Sequence, residues 1–238
     1  MSRLSPIVNA TTWKHAVGEV FLIVIGITIA LAVNAWYSER ADRVTESEYL
    51  ARLHIDLKAD VENFTNFDGI LRTKAMILQG LLTESEESLL SRGAENLMAD
   101  LTFSAFIGLP DSQSTTFGEL QSTGSLALLQ DLDQRDALSR YYSGYEHISA
   151  ILADPRGPYR GIFAGSLPGD MVYRWRAEGE PVDSSELRLG LQNLLAHPQI
   201  ESAVNAEISY AGTLAYYLRQ YLSRAEALLE LLDQGQSE

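Results

Sequence analysis

The chain has no cysteine, only four histidines, and far fewer basic residues than acidic ones. Without cysteine it forms no disulfide and offers neither a thiolate metal ligand nor a thiol nucleophile. The histidines are too far apart for two of them to bind one zinc ion from a single helix turn: His15, His54, His147 and His197. The 18 lysines and arginines against 32 aspartates and glutamates give a net charge of −14, which repels phosphate backbones. We therefore expect no Cys- or His-based metal site and no nucleic-acid partner.

Strand-like and catalytic patterns are also missing from the 238 residues. No segment alternates β-branched and polar residues with the period of two that marks a half-buried strand. The 46% of hydrophobic residues nevertheless suffices for a real core, so the chain is not disordered as a whole. No nucleophile and base pair, phosphate-binding loop or metal cluster is visible. We expect an all-α protein that is not an enzyme and carries no cofactor.

The longest apolar run extends from Ala16 to Tyr37 and contains one charged residue, Glu19. A helix of this length crosses a bilayer core of about 30 Å at about 1.5 Å per residue. Trp13 and Trp36 stand near its two ends, where amphipathic aromatic residues favour the membrane interface. The pattern predicts an N-terminal tail over 1–13 and a transmembrane helix over 14–38.

Two other interpretations of this run remain open. The first is a secretory signal peptide, since the start is weakly basic and Val33, Asn34 and Ala35 resemble a small-residue cleavage site. The apolar run is longer than the usual core of a signal peptide, which favours the transmembrane helix. The second is a buried helix of a soluble protein, which requires a larger surrounding core than this chain can supply.

The predicted transmembrane helix has one small and polar face. At about 100° per residue, the members of this face fall within a sector of about 80°: Glu19, Gly26, Ala30 and Asn34. Small residues allow close backbone approach and polar ones form interhelical hydrogen bonds, so this face favours self-association or a membrane partner. Alternatively, Glu19 lies near the interface and pairs with His15, or it conducts protons within an oligomer.

After the span, apolar residues recur at helical spacing over 39–238. A pattern of about 35 residues follows the span directly, and a second long pattern runs from Ile200 to Leu232. Shorter helical patterns occupy 94–107, 134–152 and 185–196. We predict a helical bundle of about four main helices, whose first helix continues from the span as a rigid stalk.

Several polar residues in the bundle have structural interpretations. Thr116 and Glu119 match a capping box, and Gly124 suits a left-handed helix end. Asp56 and Asp60 share a helix face, and we expect that face to be solvated rather than to hold a metal ion.

Four stretches resemble a bacterial family of single-span membrane proteins of unknown function. They are AVGEVFLIVIGITIALAVNAW at 16–36, YLARLHIDLKAD at 49–60, FGELQSTGSL at 117–126 and LSRYYSGY at 138–145. Similar proteins have a short N-terminal tail, one span ending in an Asn-Asn-Trp-type sequence and a helical remainder. Gly18, Glu19, Asn34 and Trp36 match this pattern, whereas Ala35 stands where a second Asn is usual. The resemblance implies a bacterial inner-membrane protein, and no family activity comes with it.

The segment 155–181 differs in composition from the rest of the bundle. It is rich in proline, glycine, arginine and aromatic residues, and we predict an irregular loop there. Its candidate ligand or partner residues are Arg156, Tyr159, Arg160, Arg174, Trp175 and Arg176. In the alternative interpretation the aromatic rings pack on the bundle and the arginines pair with acidic helix faces.

These patterns predict a membrane-anchored interaction or scaffold protein, as an accessory subunit or a homo-oligomer. Its partners are the lipid bilayer and either another protein or a second copy that binds through the transmembrane helix. A short tail before a first span is typical of an uncleaved signal anchor, which places the C-terminal domain in the periplasm. The alternative function is an extracytoplasmic sensor whose helical domain binds a small anion.

Overall fold

The computed structural model describes residues 10–105, 108–152 and 157–235, and these residues contain helices and no strand. The prediction of an all-α fold is confirmed. The helices are α1 (Ala10–Thr83), α2 (Glu86–Leu90), α3 (Ala94–Ser104), α4 (Thr115–Ser122), α5 (Leu132–Leu152), α6 (Pro158–Ser166), α7 (Met171–Tyr173), α8 (Ser184–Leu195) and α9 (Ile200–Gly235). A 3-10 turn over Ser125–Leu128 follows α4, and a π turn over Arg174–Glu178 continues α7.

Helix α1 joins the apolar segment and the first helix of the domain without a break. It has 74 residues and is therefore about 110 Å long. Its apolar part, with a mean hydropathy of 2.2, is long and apolar enough to cross a membrane, and none of it is buried by the rest of the chain. This exposure contradicts the interpretation as a buried helix of a soluble protein. The predicted continuation of the apolar helix into the domain is confirmed.

Helices α1 and α9 pack together as a long antiparallel pair that supports the domain. His54 Nε2 lies 3.2 Å from Asp233 Oδ1 at the end nearer the span. Farther along, the Lys74 ammonium meets the Glu207 carboxylate. Since residue numbers rise along α1 as they fall along α9, the C-terminal part of α9 lies on the side of the domain toward the span.

Two hydrophobic cores are stacked along this pair of helices. In the first core, α4 and α5 pack on the pair, with Phe64, Tyr141 and Leu218 buried. In the second, α3, α6 and α8 pack farther from the span, with Leu78 and Leu191 buried. The predicted bundle of about four main helices thus consists of the long α1 and α9 pair, with different shorter helices packed on each half of the pair.

A buried ion pair separates the two cores. Lys74 and Glu207 are 3% and 2% exposed, and their charged groups contact each other. On α1, Lys74 stands between Leu71 of the first core and Leu78 of the second. A buried charge is tolerated only when it is paired, so this contact constrains how α1 and α9 align.

Asp60 is buried beside the first core, contrary to the prediction of a solvated face. Its carboxylate accepts hydrogen bonds from Ser112 Oγ at 2.7 Å, the Gln113 backbone N–H at 2.6 Å and Tyr141 OH at 2.7 Å. Burial raises the pKa of Asp60, and these three hydrogen bonds oppose the rise. The network attaches the chain before α4 to α1, a long-range contact that helix periodicity does not reveal.

The predicted capping box at the start of α4 is wrong. The cap residue is Ser114, and the Thr116 backbone N–H donates to Asp56 Oδ2 at 3.2 Å. The Glu119 carboxylate instead accepts hydrogen bonds from Arg52 and Tyr49 of α1, which lower the pKa of Glu119. Here a contact between helices takes the place of a local cap. Gly124 adopts the predicted left-handed conformation, with a φ of 72°.

The prediction of an irregular loop over 155–181 is also wrong for much of that segment. Residues 158–166 form α6, and 171–178 form α7 with its π turn. Pro158 is the first residue of α6, where its missing N–H removes no intrahelical hydrogen bond. Proline therefore begins a helix here, and an irregular connection remains around Pro168 and Gly169.

Two adjacent tyrosines provide a matched test of the Asp60 network. Tyr141→Phe removes a hydrogen bond to the buried carboxyl group, and we expect it to lower the free energy of unfolding by about 1–3 kcal/mol. Tyr142 is also buried, but its hydroxyl has no hydrogen-bond partner among the described residues. Tyr142→Phe should therefore be neutral or stabilising. Urea denaturation followed by circular dichroism measures both, and equal losses would contradict the assignment.

The ion pair between the cores is tested by a double-mutant cycle. Lys74→Met leaves the Glu207 carboxylate buried without the ammonium, and we expect a loss of about 3–5 kcal/mol of stability. Adding Glu207→Leu removes the remaining charge and should restore most of that loss. Denaturation curves of the two single variants and the double variant measure this coupling. A single variant that loses less than about 1 kcal/mol would show that the pair is not effectively buried.

Candidate functional site

The predicted packing face of the span is free of contacts with the rest of the described chain. Glu19, Gly26, Ala30 and Asn34 are all exposed. A Cβ added to Gly26 would meet no atom within 4 Å outside its own helix backbone and sequence neighbours, so no other element approaches there. The alternative pairing of Glu19 with His15 lies outside the described side chains.

This face continues along α1 beyond the span. Val44 and Ile55 are 55% and 65% exposed, so α1 presents two large aliphatic side chains on its free side. At about 100° per residue they fall in the same sector of about 80° as the face of the span. We call this surface the α1 ridge; its exposed members are Glu19, Ile23, Gly26, Ala30, Asn34, Tyr37, Ala41, Val44, Glu48, Arg52 and Ile55.

Ile55 is exposed because the domain packs on the opposite side of α1, whereas the apolar segment is exposed on every side. Leu53, Leu57 and Phe64 are fully buried and point away from the ridge. The helix therefore carries a core face on one side and a free face on the other.

Arg174, one of the arginines predicted as ligand residues, is held within the domain. Its guanidinium contacts three carboxylates, those of Asp170 at 2.9 Å, Glu180 at 3.4 Å and Glu186 at 2.8 Å. The hydrogen bonds to Glu186 and Asp170 raise the pKa of Arg174 further. These contacts fix the short helix α7 against the start of α8, so Arg174 has a structural role.

The two aromatic members of the predicted set are also used in packing. Tyr159 is fully buried, and its hydroxyl lies 2.7 Å from Ser104 Oγ. Burial raises the pKa of Tyr159 to about 12. The Trp175 indole Nε1 donates to Glu95 Oε2 at 2.6 Å, while the Val182 backbone N–H donates to the other oxygen of Glu95.

Arg160 and Arg176 have a different environment. Both are exposed and line one open groove with a volume of about 730 Å³. The groove lies between the end of α3, α6 and α7 with its π turn, and Phe163 and Leu167 form part of its apolar floor. Within the described ranges neither arginine makes an ion pair, although the Arg176 guanidinium lies 5.9 Å from the centre of the Trp175 ring. Arg156, the remaining predicted member, lies outside the described residues.

A second arginine-lined groove was not predicted. It lies between α5 and α9, has a volume of about 470 Å³, and is bordered by Arg140 and Arg224. The Arg224 guanidinium lies over the Tyr221 ring at 4.7 Å from its centre. The two arginines are distant in the sequence and belong to ordinary amphipathic helices, so no local pattern marks them.

Comparison with known proteins identifies no relative. No family model matches the chain, and neither a curated protein nor a solved structure matches it. The resemblance to a family of single-span membrane proteins therefore stays a prediction based on its matching stretches.

Proposed function

We propose that the protein is a membrane-anchored interaction protein that binds its partner along the α1 ridge. The observation that supports this proposal is the exposed face of α1 that runs from Glu19 in the apolar segment to Ile55 beside the domain. One partner helix aligned with α1 would contact the whole ridge. The helical domain then adds specificity outside the bilayer.

Within the bilayer the ridge has the chemistry of a helix-packing site. Gly26 and Ala30 are spaced by one turn and allow two backbones to approach closely. Asn34 can donate and accept a hydrogen bond, and Glu19 lies near the start of the span. Polar groups of this kind are stabilised in lipid when a neighbouring helix provides partners for them.

A second copy of the chain is the simplest partner for this surface. Two parallel α1 helices place Asn34 opposite a second Asn34, and an Asn amide is complementary to another Asn amide. They also bring two Glu19 carboxyl groups together, which is favourable when one of them is protonated. Val44 and Ile55 would then cover each other above the bilayer, which removes exposed aliphatic surface from water. We place this assembly in the bacterial inner membrane with the domain in the periplasm, following the signal-anchor arrangement expected from the sequence.

The span is tested by replacing its small residues. Gly26→Leu with Ala30→Leu blocks close approach, and we expect the complex to dissociate. Light scattering coupled to size-exclusion chromatography in mild detergent measures the mass of the complex. The matched control is Ala32→Leu with Ala35→Leu, which adds the same side chains on the opposite face of the span. An unchanged complex in the ridge variant, or a wild-type chain that is monomeric and without partners, would refute the proposal.

The part of the ridge outside the bilayer is tested at Ile55. Ile55→Glu places a charge at the contact and should reduce the fraction of complex several-fold. Leu189→Glu is the control, because Leu189 is 54% exposed on α8 and lies off the ridge. Since both residues are exposed, we expect stability to change by less than about 0.5 kcal/mol in each variant. Equal effects of the two substitutions on association would exclude a specific contact at Ile55.

A further inference from the structure

The groove lined by Arg160 and Arg176 has a floor that the second core holds in place. Phe163 and Leu167 are 6% and 7% exposed, and both belong to the cluster that includes Leu78 of α1. Their backbone positions are fixed by α6 and by the connection to α7. The apolar surface is therefore preformed, as in most small-molecule sites.

The two arginines bring positive charge to the rim without an ion pair to any carboxylate that the structure describes. Neighbouring arginines in this half of the domain are paired with acids, as Arg92 is with Glu84 and Asp100, and Arg188 is with Glu86. Arg160 and Arg176 have no such partner within the described residues, in a chain whose net charge is −14. A guanidinium stays charged at any physiological pH and matches the geometry of a carboxylate.

We propose that this groove binds a small organic anion with an apolar body, such as an aromatic carboxylate. The apolar body would rest on Phe163 and Leu167, and the carboxylate would accept hydrogen bonds from Arg160 and Arg176. The volume of about 730 Å³ is within the range of sites for small molecules.

The position of the groove favours a free ligand over a lipid headgroup. Its floor belongs to the second core, which meets α1 at Leu78. Leu78 lies 41 positions after Tyr37 in one continuous helix, a rise of about 60 Å. A lipid in the membrane that holds the span does not reach that far.

The proposal is tested by calorimetric titration of the full chain in nanodiscs of zwitterionic lipid, with empty nanodiscs subtracted. The probes are 2-naphthoate, which has both the charge and the apolar body, acetate, which has the charge alone, and 2-naphthalenemethanol, which has the apolar body alone. We expect 2-naphthoate to bind at least tenfold more tightly than either of the others. Absence of naphthoate binding, or equal binding of all three, overturns the proposal.

Variants locate the bound probe. Arg160→Gln with Arg176→Gln should weaken naphthoate binding at least tenfold, and Ala164→Trp should also weaken it by filling the groove without changing charge. Arg140→Gln with Arg224→Gln removes the same charge from the groove between α5 and α9 and should leave the affinity within about twofold. The proposal fails if substitution of Arg140 and Arg224 abolishes naphthoate binding and substitution of Arg160 and Arg176 does not. Circular dichroism melts establish that each variant remains folded.

This inference does not depend on association through the α1 ridge. The groove and the ridge residues lie on different elements, and the Arg160 and Arg176 substitutions leave the ridge unchanged. Naphthoate binding by a monomeric Gly26→Leu, Ala30→Leu variant would support the groove and leave the proposed association to its own test.

Discussion

One continuous helix determines how the rest of the molecule is arranged. Because α1 extends from the apolar segment into both cores, the side of α1 that faces the domain fixes which side of the apolar segment lies in line with the domain and which lies in line with the exposed Ile55. Helix geometry couples these two faces, since every residue adds the same rotation. Gly26 therefore lies in line with the exposed Ile55, on the side of α1 opposite Leu53 and Leu57.

Buried polar groups make this arrangement specific. Apolar residues recur along both α1 and α9, so hydrophobic contact alone permits one helix to shift along the other by one turn. A slide would separate Lys74 from Glu207 and leave two charges buried without partners, at a cost of several kcal/mol. Asp60 acts in the same way on the chain before α4, because its carboxylate accepts hydrogen bonds from Ser112 and Gln113.

The sequence predicts what depends on helical periodicity and misses what depends on contacts between distant residues. The apolar run, the long helix after it and the pattern ending at Leu232 all follow from spacing, and each lies in a helix of the structure. The buried Asp60 was unpredictable because its partners are more than 50 residues away. Arg160 and Arg176 were included for their composition, but only the fold distinguishes them from Arg174, whose carboxylate partners come from both sides of α7.

Because α1 is unbroken, a tilt of its apolar segment also moves the domain. Transmembrane helices tilt by about 20° on average, and the second core lies about 60 Å along α1 from Tyr37. Without a hinge between them, a tilt of that size moves the second core sideways by about 20 Å. In the proposed membrane-anchored arrangement, a change in bilayer thickness that alters the tilt of the apolar segment would therefore displace the distal half of the domain.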